Sequence, residues 1–143
     1  MGSLVQVVNW ANGTTLAGLA LARATGCGVQ RREGFYEASG YRHRYPLAGA
    51  FTIGSVVLTR QPLSAGVWQH ELGHVRQYAF CGPMFLPLYG LAAGWSWLRC
   101  GDWWSRNVFE QRAGLAAGGY TENPVRRFGR RRRAGPAAAS AVA

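Results

Sequence analysis

Apolar residues recur at helical spacing in four stretches, with one β-like stretch between the first and second. From Asn12 to Thr25, Leu16, Leu19, Ala20 and Leu21 form an apolar surface; Asn12 or Thr14 can cap its start and Gly26 can end it. Between Arg32 and Arg60 the texture changes. Phe35, Tyr36, Tyr41 and Tyr45 are interrupted by the turn signals Ser39-Gly40 and Pro46-Leu47-Ala48-Gly49. The run Phe51–Thr59 (FTIGSVVLT) is rich in β-branched residues and reads as the last strand of a small antiparallel meander. A second helix starts at the N-cap candidate Ser64 and stops at Gly82-Pro83. Met84–Leu98 is a strongly apolar third helix, and Asn107–Ala117 a fourth, ended by Gly118-Gly119. The pattern predicts an α+β fold in the order α-β-β-β-α-α-α.

Past Tyr120 the apolar pattern stops. Residues 121–143 read as an Arg/Ala-rich disordered tail behind a single domain over residues 1–120. The chain has 143 residues and a net charge of +10, but six of its sixteen basic residues lie between Arg126 and Arg133. Removing those six takes the net charge to +4, and no groove-reading or base-stacking pattern accompanies the run. Nucleic acid is therefore an unfavoured partner. Three cysteines, Cys27, Cys81 and Cys100, contain no CxxC pair and fit neither a disulfide framework nor a thiolate zinc site. The first basic residue is Arg23 and no small-residue cleavage pattern follows a charged start, so a cytoplasmic location is expected.

The chemistry sits at the second helix. In His70-Glu71-Leu72-Gly73-His74, histidines at i and i+4 share one helical face and can reach one metal ion. Glu71, beside the first histidine, can take a proton from a water that zinc has acidified. With three His and five Glu in the chain, random placement produces this motif only about 0.002 times, so chance is a poor account of it. A catalytic zinc needs a third protein ligand and an open fourth position. His43 lies in the meander, Asp102 in a loop and Glu122 near the tail; Glu110 lies on the fourth helix, which can fold back onto the second. Asn107-x-x-Glu110 is also close to a capping box, which would occupy Glu110 with backbone. The ligand reading is preferred because His70 and His74 otherwise lack a partner.

HELGH followed by a long apolar stretch and NVFEQRA resembles the gluzincins, the zincin clan whose third ligand is a glutamate. The layout is similar to the pared-down minigluzincins. The segments QHELGHVRQY, GPMFLPLY and RNVFEQRAG resemble a group of small uncharacterised bacterial HExxH proteins, over about Phe51 to Gly119. The resemblance implies a zincin-like domain with zinc at His70, His74 and Glu110, and Glu71 as general base. It also implies that Phe51–Thr59 is an edge strand beside a peptide or protein substrate. The chain departs from the larger gluzincins in lacking a sizeable C-terminal subdomain and a matching Tyr or His to stabilise the oxyanion. Tyr78, one turn past His74, and Tyr120, after Gly118-Gly119, are the candidates for that role.

These residues predict a zinc metallopeptidase. The competing class is a zinc-binding protein of weak or no turnover that serves as an interaction or toxin-system component. A third is a membrane-peripheral module with a structural metal. Structural zinc usually has four closed protein ligands; three are in sight here, which favours hydrolysis. The 22 uncharged residues Gln77–Leu98 match a membrane span in length, but Pro83, Pro87, Gly90 and Gly94 interrupt them. They are expected to form a buried helix under the active site. The competing expectation is peripheral membrane contact through Trp95, Trp97, Trp103 and Trp104, with the basic tail on anionic lipid.

Overall fold

The computed structural model of the chain describes residues 2–46 and 48–126. Most of the expected tail, 127–143, lies outside the described residues. Its first six residues do not hang free. Arg106 donates to the Asn123 carbonyl at 2.7 and 3.0 Å, the Asn123 amide donates to Ser105 Oγ at 2.5 Å, and the Arg126 amide donates to the Arg99 carbonyl at 2.7 Å.

The fold is α+β. Its helices are α1 (Gly2–Ala11), α2 (Thr14–Ala24), α3 (Ala65–Cys81), α4 (Phe85–Cys100) and α5 (Val108–Ala113), and its strands are β1 (Gly28–Arg32), β2 (Phe35–Ser39), β3 (Ala50–Ile53) and β4 (Val56–Thr59). Helix α1 lies ahead of the first helix that the sequence pattern predicts. It is pinned by one buried side chain, because Asn9 Nδ2 donates at 3.0 Å both to Ser55 Oγ and to the Val75 carbonyl. That long-range anchor has no local signature.

The run Phe51–Thr59 is a hairpin and not one strand. Gly54 adopts φ +62° at its turn, where a Cβ would lie 2.4 Å from the Thr14 backbone, so the chain reverses at Gly54-Ser55. The sheet also differs from the expected antiparallel meander. Its order is β1-β2-β4-β3, with β1–β2 and β3–β4 antiparallel but β2–β4 parallel. The physical reason is burial. Val56, Val57, Leu58 and Thr59 are all buried, and a strand covered on both faces belongs in the middle of a sheet. This displaces β3 to the free edge. Ala22 of α2, with Ala38, Tyr41, Val56 and Leu58, forms the core on one side of the sheet.

Helix α3 begins as expected, with Ser64 Oγ accepting from the Val67 amide at 3.4 Å. It ends at Gly82, and a single 3₁₀ turn, Gly82–Met84, leads into α4. Helix α5 is shorter than expected and stops at Gly114. The expectation that the apolar third helix is buried fails: α4 buries only Phe85, Ala93 and Ser96, and leaves Leu86, Leu88, Leu91, Trp95, Trp97 and Leu98 exposed. No helix among the described residues is long and apolar enough to cross a membrane.

Candidate metal centre

The i, i+4 spacing on α3 aims both imidazoles at one point, and α5 brings the third group to them. His70 Nε2 lies 3.1 Å from His74 Nε2 and 3.1 Å from Glu110 Oε2, and His74 Nε2 lies 3.5 Å from Glu110 Oε1. All three residues are buried, and one ligand atom from each lies within 4.8 Å of the others. The close approach of α5 depends on Gly73, inside the motif itself. A Cβ at that position would come within 2.9 Å of Ala113 Cα, so a larger residue would push α5 away from α3.

The outer hydrogen bonds decide which ring nitrogens are bare. His70 Nδ1 is 3.0 Å from the Gly114 carbonyl, which can only accept, so Nδ1 carries the proton. Gln77 Nε2 donates to the Phe109 carbonyl at 2.8 Å, which leaves Gln77 Oε1 as the acceptor 2.8 Å from His74 Nδ1. In the neutral imidazoles both Nε2 atoms are therefore lone pairs. They face each other and a carboxylate, with no proton donor between them. Such a set requires a positive charge, either a proton or a metal ion. Burial lowers the proton affinity of His70, but the Glu110 carboxylate overrides this and the net shift is upward. Burial likewise works against the Glu110 carboxylate, yet the two histidines and Tyr89 hold its pKa down at about 2.

Glu71 is not among these three groups. Its Oε2 accepts from Thr52 Oγ1 of β3 at 2.7 Å, and its side chain lines the same cavity. Burial raises its pKa, against the opposing pull of Thr52, His74 and His70. That cavity has a volume of about 430 Å³, with β3 along one wall and Phe85, Tyr89, Trp104 and Tyr120 among its other lining residues. The edge-strand expectation thus falls on the first half of Phe51–Thr59, and β4 is central.

The other sequence candidates separate clearly. Glu110 is not a capping residue: the Asn107 amide donates to the Trp104 carbonyl at 3.0 Å, and Asn107 Oδ1 itself caps α5 through the Phe109 amide at 3.0 Å. Asp102 Oδ1 is occupied by the Trp104 and Ser105 amides at 3.0 and 2.7 Å. His43 packs on Tyr41, away from the cluster. Tyr78 is core: it packs against Phe85 at 4.3 Å between ring centroids and does not line the cavity. Tyr120 does line it, 5.9 Å from the His70 ring and stacked on Trp104.

Four contributors are not among the sequence candidates, Thr52, which holds Glu71, being one of them. Gln77 lies three residues past His74, on the same helical face, so the i, i+3 rule could have found it. Tyr89, whose hydroxyl donates to Glu110 Oε1, sits in an apolar run where nothing marks it out. The Gly114 carbonyl is backbone and has no sequence signature. The arrangement resembles a zincin-like site, and no protein-family model, curated protein or solved structure matches the chain.

Proposed function

We infer that the protein is a zinc metallopeptidase of HExxH, gluzincin-like type, hydrolysing peptide bonds. The observation that carries this reading is the convergence of two bare Nε2 lone pairs and a buried carboxylate, while Glu71 stands outside that set in the same cavity. Nitrogen and oxygen donors in this combination suit zinc, and three protein ligands leave a position open. Zinc held there would polarise a carbonyl and bring the pKa of water down to about 7.

The chain's own residues supply the rest. Glu71 takes a proton from the attacking water and passes it to the departing amine. Its raised proton affinity suits both halves of that transfer, and Thr52 fixes its orientation. Tyr120, with its pKa pushed up to about 12 by burial and by Glu110, stays protonated and can donate to the developing oxyanion. The free edge of β3 can align an extended chain along the cavity.

The test is metal content and peptide hydrolysis of the purified protein against Glu110→Gln and Glu71→Gln. One tightly held zinc with measurable hydrolysis, zinc lost in Glu110→Gln, and zinc kept but hydrolysis lost in Glu71→Gln are expected. A wild-type protein that takes up no zinc would sink the proposal. Zinc uptake with no hydrolysis of any peptide would leave the binding-protein alternative.

A further inference from the structure

Helix α4 carries apolar residues on more than one side. Phe85, Tyr89, Ala93 and Ser96 face the body of the protein, where Phe85 and Tyr89 pack on Phe109 and Ser96 holds the Asp102 carbonyl and the Arg106 amide. Leu88, Leu91, Trp95 and Leu98 follow one another at intervals of three, four and three residues along the other side, and exposed Met84 of the 3₁₀ turn lies just ahead of them. The four helical residues form one stripe about 15 Å long at 1.5 Å per residue. None is covered: Leu91 is 73% exposed and Trp95 58%. Just ahead of α4, Phe80 on α3 is 94% exposed.

Two features bear on what this surface fits. The first is its width. At about 100° per residue, the uncovered arc from Leu86 round to Arg99 exceeds half the helix circumference. A partner helix covers a narrow seam, whereas a fluid apolar phase covers a broad face. The second is charge. No charged residue occurs from Gln77 to Leu98, and the apolar surface ends at a border of arginine and tryptophan. Arg99 sits 5.5 Å from the Trp95 ring centroid and Arg126 5.9 Å from that of Trp97, which stacks on Trp103. Among the described residues neither arginine forms an ion pair, and the acids nearest in sequence are engaged, Asp102 with backbone amides and Glu122 with Arg106. A greasy face edged by tryptophan and unpaired arginine matches the boundary between acyl chains and anionic headgroups.

We propose that the outer face of α4 docks the protein, in plane, onto an anionic lipid surface. The helix lies in the interface and does not span it. Leu86 belongs both to the uncovered arc and to the cavity lining, so the docked surface borders the mouth of the cavity. Docking goes beyond the metal reading and does not depend on it.

The test is co-flotation of the full-length protein with vesicles of phosphatidylcholine mixed with phosphatidylglycerol, and with phosphatidylcholine alone. The wild type is expected to float with the mixed vesicles, and less with the neutral ones by about fivefold for each basic residue engaged. Leu91→Glu should lower the partition coefficient at least about tenfold, since burying one leucine is by itself worth that much. Leu16→Glu, at an exposed position on α2, and His70→Ala, in the metal centre, should float like the wild type. Failure of the wild type to float, or equal flotation of Leu91→Glu and Leu16→Glu, would overturn the proposal. So would a wild-type dimer in sedimentation that Leu91→Glu splits without any vesicle binding. Gly90 and Gly94 leave open space on the same arc, and that outcome would assign the face to a second copy of the chain.

Discussion

The Tyr89 hydroxyl donates to Oε1 of Glu110, tying α4 to the carboxylate that α5 presents to the two histidines. Burial and the Glu110 carboxylate both push the Tyr89 pKa well above the ordinary phenol range, so the hydroxyl remains a donor across the whole working pH range. Its role is to orient the carboxylate. Tyr89→Phe should lower zinc affinity by about 10- to 100-fold, the usual cost of losing an outer-shell partner. Competition against a chelator of known affinity measures this, and an unchanged affinity would remove Tyr89 from the site.

Zinc should stabilise the fold. At zinc about a thousandfold above its dissociation constant, the gain is about 4 kcal/mol, read as a chelator-sensitive rise in melting temperature. His70→Ala, His74→Ala and Glu110→Gln should lose that rise, and Glu71→Gln should keep it. Metal-free Glu110→Gln should melt without the penalty of a lost cap, because Asn107 caps α5 by itself.

Glu71 gives a pH signature of defined sign. Burial raises its folded-state pKa above the ordinary value, so the folded state prefers the neutral acid. The resulting cost to stability is present above the folded pKa and vanishes below the unfolded one. Glu71→Gln should therefore raise the melting temperature of the metal-free protein at neutral pH. The advantage should fade as the pH falls below about 4. Thr52→Val removes a bond that favours the carboxylate, so it should shift the acid limb of any peptidase activity to higher pH.

Gly73→Ala tests the helix crossing. With a Cβ 2.9 Å from Ala113 Cα, overpacking should cost about 1–3 kcal/mol and loosen zinc binding together with stability. Gly66→Ala on the same helix meets nothing closer than 3.7 Å, so it should leave zinc binding unchanged and, if anything, raise stability by up to about 1 kcal/mol. Denaturant melts and zinc titrations of the pair check this, and equal behaviour of the two variants would mean that α5 is not held by the Gly73 contact.

Local rules made much of the chain readable from sequence alone. Histidines four apart share a helical face whatever surrounds them, so His70 and His74 were legible as a pair. Ser64 and Gly82-Pro83 marked the ends of α3 because caps and breakers act within a few residues. The Gly54-Ser55 reversal also has a local signal, a two-residue turn between β-branched runs. Only the tertiary structure decided what those faces meet. Glu110 had two local readings, and the packing of α5 on α3 chose between them. The parallel β2–β4 pairing, the Asn9 anchor and the Tyr89 bond join residues far apart in sequence, and no periodicity records such contacts. Helix α4 is the clearest case. It is apolar on nearly every side, so its pattern carries no information on which side is inside, and burial was settled by which neighbours had a complementary surface to offer.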